Sequence, residues 1–204
     1  MAIFLLIRHG QNDSLGQRLA GRLPDVHLNE EGKAQADRLG KMLETLPIKA
    51  VYASPLERTL ETAQSIARPH HLPVETLPAL IELDFGDWQG REIKQLKQQP
   101  LWVHAHNHAS EHCFPGGETF KEAQSRIVKE LHNLNDQFNT NDPVVCVTHG
   151  DVIRLAVAYF MGLHLDHFHR LRISPASVTV LYIQENKPSL GPINYVLDFP
   201  TFPD

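Results

Sequence analysis

Five side chains in this sequence have the types and settings for phosphoryl chemistry: Arg8, His9, Arg58, Glu82 and His149. A phosphoryl group carries close to two negative charges and takes donors on several oxygens. Two arginines can each make forked, charge-assisted bonds to it. Imidazole titrates near neutrality, so one neutral ring nitrogen can attack phosphorus while a second, protonated ring donates to the oxygens. A carboxyl group such as Glu82 can protonate the leaving oxygen and then activate water for a second step. The two guanidinium groups neutralise charge that a divalent metal would otherwise carry, so the scheme requires none. Each residue alone is weak. Arg-His-Gly recurs by chance, and a buried histidine ordinarily finds hydrogen-bond partners without being catalytic. Arg58 alone is a solvated helix residue, and Glu82 alone a surface carboxylate. Their joint placement at successive element boundaries is what carries the reading.

Those boundaries come from the chain pattern. Residues 3–7 are a continuous apolar run, the mark of a strand buried on both faces, and it ends in Arg8-His9-Gly10. Asn29 reads as the N-cap of a helix to about Leu46, with Ala36, Leu39, Leu43 and Leu46 on one face. A short strand over residues 50–53 leads into Ser54-Pro55-Leu56-Glu57, which reads as a capping box with proline at the first helical position. That places Arg58 in the first turn of a helix to about Ala67. A short strand is expected near Val74. Thr119-x-x-Glu122 is a second capping box, opening a helix with the stripe Phe120, Ala123, Ile127, Leu131, Leu134 and Phe138. A buried strand over residues 143–147 ends in Thr148-His149-Gly150, where an apolar helix from about Val152 to Met161 begins. Residues 178–183 and 193–197 are expected as the last strands. Strand–helix alternation predicts an α/β fold with a mostly parallel sheet, whose ligands sit at the carboxyl ends of the strands.

Composition narrows the partners. The 204 residues are 42% hydrophobic and 21% charged, ordinary proportions that exclude disordered, collagenous and coiled-coil classes. The net charge of −5, with no run of Lys or Arg, argues against nucleic acid as a partner. Cys113 and Cys146 make no disulfide framework, which fits reduced thiols and a cytoplasmic location. No apolar stretch approaches the roughly 20 residues of a membrane span, and the N-terminal run lacks signal-peptide flanks. Histidine is over-used, with 13 residues. His104-x-His106-x-His108, with His112 close by, has a spacing that a strand would turn to one face, as a metal site would need. The tract has no acidic or cysteine partner at a recognised ligand spacing, so a polar insertion without metal is the favoured reading.

The sequence resembles the histidine phosphatase superfamily, also called phosphoglycerate mutase-like, over nearly the whole chain. The resemblance rests on residues 6–10 (Leu-Ile-Arg-His-Gly), 28–32 (Leu-Asn-Glu-Glu-Gly) with Gln35-Ala36, and 54–58 with Glu61-Thr62-Ala63. It rests further on Glu82-Leu83-Asp84-Phe85-Gly86 with Trp88 and Gly90, on residues 115–119 (Pro-Gly-Gly-Glu-Thr), and on Val147-Thr148-His149-Gly150 with Ile153-Arg154. It implies a three-layer α/β/α sandwich, residues 1–204 as a single domain, with a small variable insertion at about 86–115 over the active site. It implies His9 as the nucleophile that forms a phosphohistidine, with Arg8, Arg58 and His149 lining the phosphate pocket and Glu82 as proton donor. Asn12, Gly21 and Gly150 join the candidate phosphate or substrate contacts. One stretch departs from the family pattern. The family commonly has Asn at the position of Leu15, and Asn12 is the candidate replacement.

The family gives its phosphohistidine either to water, as a phosphatase, or back to a substrate hydroxyl, as a mutase. The glycolytic mutases carry longer insertions with basic residues for a substrate carboxylate. Here the insertion is short, with Arg91, Lys94 and Lys97 as its cations. The expectation is a metal-independent, cofactor-free phosphatase for small phosphomonoesters, with a phosphomutase as the alternative. Its expected partner is a small phosphorylated metabolite, and its expected state a monomer or homodimer.

Overall fold

The computed structural model describes residues 2–183 and 187–197. Its centre is a six-stranded sheet of β1 (Ile3–Arg8), β2 (Ala50–Ala53), β3 (Val74–Thr76), β4 (Pro143–Thr148), β5 (Val178–Tyr182) and β6 (Ser189–Leu190), in the order β3-β2-β4-β1-β5-β6. β3, β2, β4 and β1 are parallel, and β5 and β6 add antiparallel pairings at one side. This is the expected α/β architecture with a mostly parallel sheet. Alternation along β1 divides its apolar residues between two cores. Leu5 and Ile7 pack with α1 (Glu30–Leu43) and α2 (Glu57–Ala67). Phe4 and Leu6 face the core that holds α5 (Phe120–Asn135) and α6 (Gly150–Phe160). Both faces are covered, which is why these strands read as unbroken apolar runs.

Two helix starts are as the sequence predicts. Asn29 caps α1 by accepting from the Gly32 N–H at 2.9 Å. Thr119 and Glu122 form a reciprocal capping box on α5. The start of α2 differs. It begins at Glu57 with Leu56 as N-cap and no side-chain capping bond, so Pro55 is not its first residue. The reason is that the Ser54 hydroxyl is engaged elsewhere, with His149. α1 stops at Leu43 and Leu46 is exposed. Phe138 lies beyond the end of α5 but still packs edge-on against Tyr52. The final strand expected over residues 193–197 is replaced by one bridge, Tyr195 to Val178, while Ser189–Leu190 takes the edge. Asn194, with φ of 55°, breaks the extended run.

Residues 86–115 contain two helices, α3 (Ile93–Leu96) and α4 (Pro100–Asn107). This segment is tied to the loop after β1. Arg18 bridges Glu92, and the Leu19 and Ile93 N–H groups donate to the Arg91 and Gln17 carbonyls. The two lips over the sheet edge therefore fold as one hydrogen-bonded unit. Among the described residues, no helix is long and apolar enough to cross a membrane.

Candidate active site

Strand register assembles the site. β1 pairs with β4 so that Arg8 stands opposite Thr148. The next residue on each strand is a histidine, and the rings of His9 and His149 come to 5.3 Å, edge to face. β2 pairs Ala53 with Val147, which carries Ser54 to the same edge. Arg58 is the second residue of α2. Glu82 follows a short 3-10 turn, Pro78–Leu80. Arg8, His9, Asn12, Gly21, Arg58 and Glu82 line one cavity of about 180 Å³. His149 is fully buried behind it and reaches it through Glu82, whose carboxylate oxygen is 3.8 Å from His149 Nδ1. Gly150 packs against the Arg8 guanidinium.

His9 is buried, with its Nδ1 2.8 Å from the Gly10 carbonyl oxygen. A carbonyl can only accept, so the proton resides on Nδ1 and the lone pair on Nε2. Burial, then Arg8 and Arg58, hold this imidazole well below its ordinary pKa, so the ring is neutral. A neutral ring with a free Nε2 lone pair is a competent nucleophile.

The arginines are built to receive an anion. Arg8 donates to the Ile173 carbonyl at 2.6 Å, and Arg58 to the Gly21 carbonyl at 2.7 Å. Arg8 Nε and one Arg58 terminal nitrogen are buried without a hydrogen-bond acceptor among the described residues. Buried donors ordinarily find acceptors, and phosphate oxygens supply them. Burial, and then repulsion from Arg154, lower Arg8 to about 10, which leaves it charged at neutral pH.

Glu82 and His149 complete the proton chemistry. Burial pushes the Glu82 carboxyl up to about 7, with Asp151 adding to the shift and the Leu83 N–H, Arg58 and Arg8 opposing it. A carboxyl group at that value holds a proton near neutrality and can give it away. His149 Nε2 is 2.8 Å from Ser54 Oγ, and Arg58 donates toward Nδ1 at 3.4 Å. Arginine has no acceptor, so the neutral His149 carries its proton on Nε2, donated to Ser54. Burial, followed by Arg58, keeps His149 well below the usual imidazole pKa without an anion. A bound phosphate reverses that local charge and favours the protonated, donating form.

The sequence pattern contained the motif around Glu118 but not its role. Glu118 Oε1 accepts from Arg22, from Arg126 and from the Asp84 N–H, each at 2.9 Å. Arg22 in turn donates to the Glu82 carbonyl at 2.8 Å, and Arg126 to those of Ala79 and Ile81. This network fixes the backbone on both sides of Glu82. Gly86 and Gly117 let the two loops meet. A Cβ on Gly86, at φ of 50°, would lie 2.1 Å from the Pro115 carbonyl oxygen, and one on Gly117 2.2 Å from that of Asp84. Arg22 and Arg126 had no motif to mark them. Ser54 was visible only as a helix cap.

Asn12 is buried in the cavity wall. Its side-chain oxygen accepts from the Ser14 N–H at 3.0 Å, which leaves its amide N–H₂ as a donor toward the cavity. His104 and His106 lie in helix α4 rather than in a strand, so alternate positions there diverge. His106 stacks on His169 at 4.3 Å, while His104 lies beside His108 and His112. Among the described residues, no group of three or more His, Cys, Asp or Glu is arranged to hold a metal ion.

An α/β sheet that delivers Arg-His-Gly, a helix-borne arginine, a buried glutamate with a raised pKa and a second histidine to one edge defines a phosphoryl-transfer class of protein. The chain belongs to the histidine phosphatase superfamily (branch 1), whose family model matches residues 4–195. It is similar to the 2,3-bisphosphoglycerate-dependent phosphoglycerate mutase of Thermoplasma acidophilum, 31% identical over 185 residues, covering 90% of this chain and 88% of that one. It is similar as well to phosphoserine phosphatase 1 of Hydrogenobacter thermophilus, 28% identical over 192 residues and covering 92% and 89% of the two chains. Among solved structures, Bacillus stearothermophilus YhfR superposes with a TM-score of 0.89 at 27% identity, covering 96% of this chain and 98% of that one. The matched relatives thus include both phosphatases and mutases.

Proposed function

We propose that this protein is a phosphatase that hydrolyses small phosphomonoesters through a phosphohistidine on His9, without a metal. The observation that carries the proposal is the pairing of a neutral His9, its Nε2 free, with a Glu82 carboxyl that holds its proton to about pH 7 in the same cavity.

In the first step, His9 Nε2 attacks phosphorus and the bond to the ester oxygen breaks. The Glu82 proton passes to that oxygen, which leaves as the alcohol. Arg8 and Arg58 stabilise the phosphoryl oxygens in the transition state, with His149 supporting them from behind the cavity. In the second step, Glu82, now a carboxylate, takes a proton from water as that water attacks phosphorus. The phosphorus–nitrogen bond breaks, which returns neutral His9, protonated Glu82 and inorganic phosphate.

Hydrolysis is favoured over transfer by the charges at the cavity. Besides Arg8 and Arg58, its one lining cation among the described residues is Arg18. The insertion cations Arg91, Lys94 and Lys97 do not line it. A mutase substrate with a carboxylate would find few partners there. The test is phosphate release from a phosphomonoester panel set against conversion of 3-phosphoglycerate to 2-phosphoglycerate. His9→Ala should abolish turnover, and rapid quench of the unaltered protein should trap acid-labile phosphate. Turnover with no phosphoenzyme would remove His9 as nucleophile. Efficient mutase turnover without net phosphate release would replace the phosphatase reading with the mutase one.

A further inference from the structure

A second cavity of about 160 Å³ adjoins the phosphate cavity, sharing Leu19, Phe85 and Asp151 with it. That volume is close to the ~150 Å³ of an engineered apolar cavity that takes benzene. Part of its wall is a run of rings in series: Trp88 on Trp102 at 5.8 Å, Trp102 on His106 at 4.5 Å, and His106 on His169 at 4.3 Å. Such surfaces favour flat apolar groups that stack or meet them edge-on.

The polar lining is narrower in kind. Arg154 donates to Asp151 at 2.6 Å and to the Leu171 carbonyl at 2.9 Å, so the cation is already paired. A carboxylate brought here would face the Asp151 carboxylate and compete with it for Arg154, and a desolvated charge without a full partner is strongly disfavoured. His169 Nε2 is buried with no hydrogen-bond partner among the described residues, and burial holds the ring well below its ordinary pKa. A neutral imidazole has one donor and one acceptor nitrogen, so Nε2 is available as an acceptor. Asp151 also offers carboxylate oxygen. Both are acceptors, and they suit a hydroxyl or N–H on the occupant.

We propose that this second cavity receives the organic part of the substrate, as a compact uncharged ring that presents a hydrogen-bond donor. The proposal rests on the phosphatase reading, because it names the leaving group of that reaction. The substrate class is then a primary-alcohol phosphate bearing one aromatic or heteroaromatic ring with a hydroxyl or N–H. Trp102 and His169 are its specificity-determining residues.

The experiment compares phosphate esters of primary alcohols, so that leaving-group acidity varies little. Benzyl and 4-hydroxybenzyl phosphate are set against propyl phosphate, phosphoserine and 3-phosphoglycerate. The ring esters should lead propyl phosphate by about 10–100-fold in kcat/KM, the scale a shaped apolar pocket supplies. Trp102→Ala should collapse the benzyl-to-propyl ratio. His169→Leu should remove the advantage of 4-hydroxybenzyl over benzyl while keeping the benzyl-to-propyl ratio. Calorimetric binding of benzylphosphonate against propylphosphonate reads the subsite without turnover. Equal affinities for the two phosphonates overturn the subsite, whatever the enzyme hydrolyses. A benzyl preference in binding with no phosphate release from any ester leaves the subsite standing and overturns the phosphatase reading.

Discussion

Replacing Glu82 by Gln should make the enzyme slower and, above neutral pH, more stable. The side chain is 13% exposed, and its carboxyl is raised from 4.5 to about 7. Between those values the folded protein holds a proton that the unfolded chain has released. Stability therefore falls as pH rises across this window, and the loss from ionising Glu82 in place is complete only above about pH 7. A shift from 4.5 to about 7 corresponds to about 3 kcal/mol at 1.36 kcal/mol per pH unit. Glutamine keeps an oxygen for the Leu83 N–H and does not ionise. The assay is urea unfolding of both proteins at pH 5 and pH 8, with linear extrapolation. The variant should gain about 3 kcal/mol over the unaltered protein at pH 8, and well under half of that at pH 5. Turnover of alkyl phosphates should drop roughly 10²–10⁴-fold, as expected for loss of a general acid, with a smaller drop for esters of acidic phenols. A stability difference that is the same at both pH values, or larger at pH 5, would refute the raised carboxyl and with it the proton-donor role.

The other predictions concern the groups that hold the machinery. Ser54→Ala should leave the His149 Nε2–H without an acceptor in a fully buried place, costing about 1–3 kcal/mol in urea unfolding together with a loss of turnover. A change under about 0.5 kcal/mol would show that the Ser54–His149 bond is not what orients the ring. Glu118→Gln removes the charge shared by Arg22 and Arg126 and should cost about 1.5–3 kcal/mol. Because it loosens the backbone around Glu82, it should slow alkyl phosphates more than phenyl phosphates. An equal loss on both would place its effect outside the proton transfer.

Much of the site was legible because its parts lie at element ends. The apolar run before Arg8 and the run before His149 are both strands buried on two faces, and a parallel sheet sends their last residues to one edge. That reasoning brings together Arg8, His9, Arg58, Glu82 and His149. Short-range pattern misread other features. Ser54 has a capping spacing, yet its hydroxyl belongs to His149, 95 residues away. Residues 193–197 have strand composition, yet Asn194 turns the backbone and a two-residue strand takes the edge instead. Helix α4 carries the histidine tract that alternation would have placed on one face of a strand.

The sequence by itself determined the parallel strands of the sheet, the helices on its two faces and the candidate residues for phosphoryl chemistry, because periodicity and turn chemistry act over a few residues. Only the tertiary structure decided which proton each histidine carries, because that depends on Gly10, Arg58 and Ser54 as neighbours in space. It decided the raised carboxyl of Glu82, since burial and Asp151 are properties of the packed site. It also decided the second cavity, whose walls come from the loop after β1, residues 85–114, α5, α6 and the turn that follows α6. No local pattern specifies where five such segments converge.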